Sequence, residues 1–223
     1  MFFDTYSYRK KLLYNQAVVV KYDMTYPIFG RDQSLGRINQ YNKSLIEGMV
    51  SRSSRNLYKD GVKQYKTLVM YNSFAPIEVK DNFNVMFTSS RIMSLFWDFY
   101  ISRGAEGIMM HRVSQTWDIN KSVMLTMDSI FRRDKNWRNT LMEVLKNEVS
   151  CFESEMGISC FSGWQSVICN SLDHNRFYIS DSGIVIYCPQ GSIAADVWGI
   201  PSFLASFSEL DTILDKKFSQ SLQ

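Results

Sequence analysis

The chain has 223 residues, 45% of them hydrophobic and 21% charged, so it can bury a sizeable core as one large domain or two small packed ones. A formal net charge of +3 is too small for the dense basic surface of a nucleic-acid binder. No apolar run approaches the ~20 residues of a membrane-crossing helix, so the pattern predicts no span.

The charge is unevenly placed. Residues 1–66 carry 12 Lys+Arg against 5 Asp+Glu, and the remainder 13 against 17. The basic third reads as the charged faces of a strand and a helix, with proximity to an anionic membrane or wall as the sharper alternative. Aromatic residues make up 14% and are spread along the chain, which favours a sheet-rich core. The opening MFFDTYSYRKKLL lacks the basic, apolar and small-residue order of a signal peptide. The protein is then cytoplasmic, or its targeting segment lies outside this chain.

Leu12 to Tyr26, centred on Val18-Val19-Val20, reads as a first strand that Pro27 ends. Gly30 marks a turn, and Asp32 is placed to cap a helix reaching about Tyr58, with Leu35, Ile38, Leu45, Ile46 and Met49 on one face. After Gly61 the period changes to two. Tyr65–Ile77, Phe83–Thr88 and Ile92–Ile101 are predicted as consecutive strands, with turns at Lys80-Asp81-Asn82 and Ser89-Ser90. Short connections of this kind predict an antiparallel meander.

A loop bracketed by Gly104 and Gly107 precedes a strand over Ile108–Ile119, which ends at Asn120-Lys121-Ser122. A helical segment near Leu125–Phe131 and a longer helix over about Lys135–Ser154 follow, the latter with Trp137, Leu141, Val144 and Leu145 as its stripe. Arg176–Ile179 and Ile184–Tyr187 flank Ser180-Asp181-Ser182-Gly183 and predict a hairpin. Trp198–Phe207 is expected as a last strand, with a helix starting at Ser208-Glu209-Leu210. The fold class is α+β, with antiparallel sheets and packed helices in two intimately associated subdomains, 10–112 and 113–215.

Enzyme motifs are thin. Two histidines, His111 and His174, cannot build a three-histidine metal site, and neither sits in HExxH or HxxxH. His111 reads as a satisfied strand residue and His174 as a plain loop residue. There is no GxSxG, GxGxxG or GxxxxGK[ST]. Glu106 and Asp118 stand at opposite ends of one strand, roughly 36 Å apart when extended, far beyond the ~5–9 Å a glycosidase pair needs. No catalytic residue, cofactor or metal ligand is therefore assigned. Cys151, Cys160, Cys169 and Cys188 contain no CxxC and allow up to two disulfides, or none.

An ordered set of short motifs resembles one family. It comprises Tyr26-Pro27, Ile38-Asn39, Tyr71-Asn72, RGAEG at 103–107, Trp117-Asp118-Ile119, and Leu125 to Phe131. It continues with Phe177 to Tyr187 (FYISDSGIVIY), Ile193-Ala194 with Gly199, and Phe207-Ser208-Glu209-Leu210. In this order they resemble the RsiV/PdaC-type extracytoplasmic domains over about residues 15–212, with a PdaC-like N-terminal half and an RsiV-like C-terminal half. The resemblance implies a non-catalytic recognition domain on the outer side of a bacterial membrane, binding a lysozyme-like protein or a cell-wall glycan. Two loops depart from the family pattern: RGAEG stands for GGAHG, and Ala195 and Asp196 stand for Pro-Tyr. Glu106, Gln190, Asp196 and Trp198 are the expected contact residues. The alternatives are a carboxylate-dependent glycan hydrolase or esterase, and a cytoplasmic protein-interaction domain.

Overall fold

The computed structural model describes residues 3–30, 33–104 and 107–222, and the protein is α+β. The described elements are strands β1 (Phe3–Tyr14) and β2 (Ala17–Phe29), helix α1 (Gln33–Leu68), and strands β3 (Ile77–Thr88), β4 (Ile92–Ser102), β5 (Ile108–Asp118) and β6 (Val123–Met124). Helices α2 (Met127–Ile130), α3 (Trp137–Met156) and α4 (Trp164–Asp173) follow. Strands β7 (Phe177–Ile179), β8 (Gly183–Tyr187) and β9 (Ser202–Ser206) and helices α5 (Phe207–Leu210) and α6 (Lys216–Ser221) complete them. One sheet has the order β1-β2-β3-β4-β5-β6 and the other β7-β8-β9. The chain divides into two compact units, one of residues up to 83 with 97–110, the other of 84–96 with everything from 111.

In the first unit, β1 and β2 form an antiparallel hairpin whose tight turn is Asn15-Gln16, both in the left-handed region at φ 46° and 67°. Such a turn matches the strand twist, and Asn tolerates it readily. Tyr22, Met24 and Tyr26 alternate into the core from β2. Pro27 does not end the strand; it pairs across from Thr5, and β2 runs on to Phe29. Helix α1 fixes that strand end through two side chains. Asn39 accepts the Phe29 N–H at 2.8 Å and donates to the Phe29 carbonyl at 2.9 Å, while Asn42 donates to the Pro27 carbonyl at 3.2 Å.

The helix also runs past Tyr58 to Leu68, so Tyr65–Ile77 is not a strand. Gly61 marks a close helix–strand approach rather than a change of period: a Cβ there would lie 2.6 Å from the Val19 carbonyl oxygen. A short 3-10 turn ends the helix with Asn72 at φ 53°. Strand β3 then pairs parallel to β2 from Val20–Ile77 to Asp23–Lys80. Lys80-Asp81-Asn82 is therefore strand, not turn. Past that ladder the Asp81 carboxylate takes over as acceptor for β2. Its Oδ1 receives the Thr25 N–H at 2.7 Å and the Thr25 hydroxyl at 3.1 Å.

In the second unit, β7, β8 and β9 pair antiparallel, and the Ser180–Gly183 hairpin lies where expected, with the Ser180 N–H donating to the Gly183 carbonyl at 2.9 Å. Leu141, Leu145 and Val149 of α3 and Ile168 and Leu172 of α4 bury against Ile179, Ile184, Ile186 and Phe203. The α4 helix has no counterpart in the sequence pattern. Ser206 and Glu209 form a reciprocal capping box that starts α5. The last strand begins only at Ser202, and Asp196–Trp198 is a 3-10 turn, so Trp198 is not a strand residue. All four cysteines are free thiols.

Candidate binding loop

The loop from Pro189 to Ile200 leaves β8 and returns into β9, closed at its base where the Cys188 N–H donates to the Pro201 carbonyl at 2.9 Å. Ile193 and Ala194 are its buried anchor, and the Ile193 carbonyl accepts from the Phe161 N–H at 2.7 Å. Its first bend is held by the Ser192 hydroxyl donating to the Pro189 carbonyl at 2.6 Å. The Gln190 side-chain amide donates across the loop to the Asp196 carbonyl at 3.0 Å, and the Gly199 N–H donates to the same oxygen at 3.0 Å. Gly191 sits at φ 69°, and a Cβ there would collide with Oδ1 of Asp196. The left-handed backbone favours glycine here, and a larger residue would also push the Asp196 carboxylate aside.

This framework lifts two apolar side chains into solvent. Val197 is 85% exposed and Trp198 40%, beside the exposed Asp196. Gln190, Asp196 and Trp198 thus converge on one loop. Glu106 lies outside the described residues; of its loop, Gly104 (φ 68°) and Gly107 (φ 93°) adopt the left-handed backbone of a tight turn. The exposure of Val197 carries no signal in the sequence, because a valine beside Trp198 and Ile200 reads as part of a buried strand.

Beside the loop's exit, Ile200 packs on a small cluster of Phe96, Tyr178, Val185 and Tyr187. The Arg112 guanidinium lies 4.0 Å over the Phe96 ring and 5.7 and 5.6 Å from the Tyr178 and Tyr187 rings, and it donates to the Ser202 hydroxyl at 3.0 Å. Such cation–π contacts, worth about 0.5–2 kcal/mol each, hold this half-buried face rigid. Burial pushes the Tyr187 hydroxyl's pKa up despite its hydrogen-bond contact with Ser114.

Just before the loop, the Cys188 thiol is buried in the core, receives the Ser171 hydroxyl at 3.6 Å, and is pushed up to about 11 by desolvation. Thiolate is the reactive form, and Cys151 and Cys169 are exposed. Thiol titration of the native protein is therefore expected to modify Cys151 and Cys169 first and Cys188 last, read residue by residue from peptide masses. Early labelling of Cys188 would mean that the core around it opens.

His111 and His174 are both exposed, His174 closing α4. Among the described residues no group of three His, Cys, Asp or Glu side chains is arranged to hold a metal ion, and no helix is long and apolar enough to cross a membrane.

No protein-family model matches the sequence, and no curated protein matches it either. Among solved structures, a DUF3298-family protein from Bacteroides fragilis is similar over 100% of this chain and 97% of its own, with a TM-score of 0.66 and 13% identity. A second, from Pseudomonas aeruginosa PAO1, is similar over 98% and 97%, with a TM-score of 0.59 and 11% identity. The likeness is one of fold, along nearly the whole chain.

Proposed function

We propose that this protein is a non-catalytic recognition domain of the RsiV/PdaC type, acting on the outer side of a bacterial membrane. It binds a protein or a cell-wall glycan through the loop Pro189–Ile200. The observation that carries this reading is the pairing of a rigid loop frame with solvent-facing Val197 and Trp198. Preorganised aromatic side chains supply contact area at low entropic cost, and Trp is enriched among residues that dominate binding energies. Asp196 beside them favours a partner with cationic groups or hydroxyl donors. Nothing in the loop is arranged as a nucleophile with its base.

The test is capture from a panel of lysozyme and purified wall glycan on immobilised protein. Trp198→Ala is expected to lose roughly 2 kcal/mol of binding, about 30-fold, with an unchanged fold. Absence of capture by the wild-type protein across the whole panel overturns the proposal.

A second reading, a cytoplasmic protein-interaction domain, is supported by the four unpaired thiols, since disulfides accumulate in exported proteins. Thiol counting on protein taken from its native host separates the two: four free thiols favour the cytoplasm, and crosslinked pairs favour export.

A further inference from the structure

Three connected depressions in the second unit, of about 470, 660 and 190 Å³, share walls around Ser129 and form a groove from Trp137 to Arg91. The second unit as a whole is slightly acidic, with 11 Lys+Arg against 13 Asp+Glu. Yet 7 of those 11 cations line the groove, against 4 carboxylates. The cations are gathered there.

Their pairing is incomplete. Arg91 and Lys121 are both held by Asp118, whose Oδ2 lies 3.0 and 3.7 Å from them, and Arg132 is forked onto Asp134 at 2.7 and 3.0 Å. Arg133, Lys135, Lys216 and Lys217 are exposed and make no ion pair with any described residue. Four cations without an ion-pair contact, gathered in one concave strip, raise the local potential above that of a flat surface.

The groove also offers acceptors. Asp128 is exposed and takes part in no ion pair among the described residues. Asp215 uses Oδ1 for the N–H groups of Lys217 and Phe218. A purely acidic chain would meet these carboxylates as repulsion, whereas a hydroxyl-bearing polyanion would satisfy cations and acceptors together. We propose that this groove binds an anionic, hydroxyl-rich polymer, with phosphate or carboxylate groups repeating along a sugar or polyol chain. The proposal goes beyond the loop reading and uses none of the loop's residues.

Titrations of the full chain with poly(glycerol phosphate) and with polygalacturonate test it and separate phosphate from carboxylate as the source. Binding to at least one is expected, weakening as salt rises. Changing Arg133, Lys135, Lys216 and Lys217 to Ala is expected to weaken it by roughly tenfold or more, the summed effect of exposed charge contacts. An Arg9→Ala, Lys10→Ala, Lys11→Ala variant of the first unit is the control and is expected to bind like the wild type. Four results would each overturn the proposal: no binding of either polymer, polyglutamate or anionic phospholipid vesicles binding as tightly, an equal loss in the first-unit variant, or no loss in the groove variant. Loss of binding in Trp198→Ala would move the site to the loop. If groove binding stands while the loop captures nothing, the loop proposal alone fails.

Discussion

Asp81→Asn is expected to abolish a pH dependence that the wild-type first unit carries. The Asp81 carboxyl is drawn into the β2–β3 junction, where only Oδ1 finds donors, on Thr25, and Oδ2 is buried with no hydrogen-bond partner. Desolvation pushes its pKa up from 3.8 to about 7, and the Thr25 donors only partly offset this. In the unfolded chain the group ionises near its ordinary value. Between these two pKa values the folded state holds a proton that the unfolded state has lost, so stability falls as pH rises. The fall is about 1.4 kcal/mol per pH unit, a ceiling of roughly 4 kcal/mol, and it levels off above about pH 7.

The Asn variant keeps an acceptor for Thr25 but places an amide donor where Oδ2 sat. It is therefore expected to be about 1–3 kcal/mol less stable than wild type near pH 4, the cost of a buried unpaired donor. The two profiles cross between about pH 5 and 6.5, where the wild type has lost that margin, and above about pH 7 the variant is the more stable, because only the wild type must bury a charge there. Denaturant melts at a series of pH values, followed by a first-unit probe, check this; parallel wild-type and variant profiles would contradict it.

Gly183→Ala is expected to cost the second unit about 3 kcal/mol, the upper range for overpacking. Gly183 opens β8 opposite Ser206 of β9, and a Cβ there would overlap the Ala205 carbonyl oxygen and press on the Ser206 Cα. Both obstacles are backbone, so no side chain can swing away, and the β8–β9 edge must part. Gly36→Ala is the matched control. Its Cβ would meet nothing within 4 Å on the exposed face of α1, and it is expected to stabilise by about 1 kcal/mol. Thermal unfolding of the two variants should move in opposite directions.

Local chemistry made parts of this fold readable and hid others. The Ser180–Gly183 hairpin was legible because its turn residues and flanking Ile and Tyr runs agree with the pairing that forms. The β1–β2 hairpin was not. Its turn places Gln16 at φ 67°, a residue that gives no turn signal, so Leu12–Tyr26 read as one strand. Gly61 misled in the opposite sense: it permits close packing of α1 on Val19, whereas sequence alone reads it as a break. Lys80-Asp81-Asn82 looks like a turn because polar residues cluster there. Their place in a strand depends on Thr25, 56 residues earlier in the chain.

The candidate loop was legible through Pro189-Gln190-Gly191, which marked an irregular segment holding three of the four expected contact residues. The exposure of Val197 and the Arg112 aromatic stack were not, since both depend on which faces tertiary packing leaves uncovered. The grooved concentration of cations is of the same kind: Arg91, Lys135 and Lys217 come together only in the fold.

The most direct measurement is a binding isotherm for the ligand captured from the lysozyme and wall-glycan panel, run on wild type and on a Val197→Ser, Trp198→Ser double variant with matched melting behaviour. The loop account predicts saturable binding by the wild type and its loss in the double variant. Equal affinity of the two proteins, or conversion of the ligand to a new product during the titration, would contradict it.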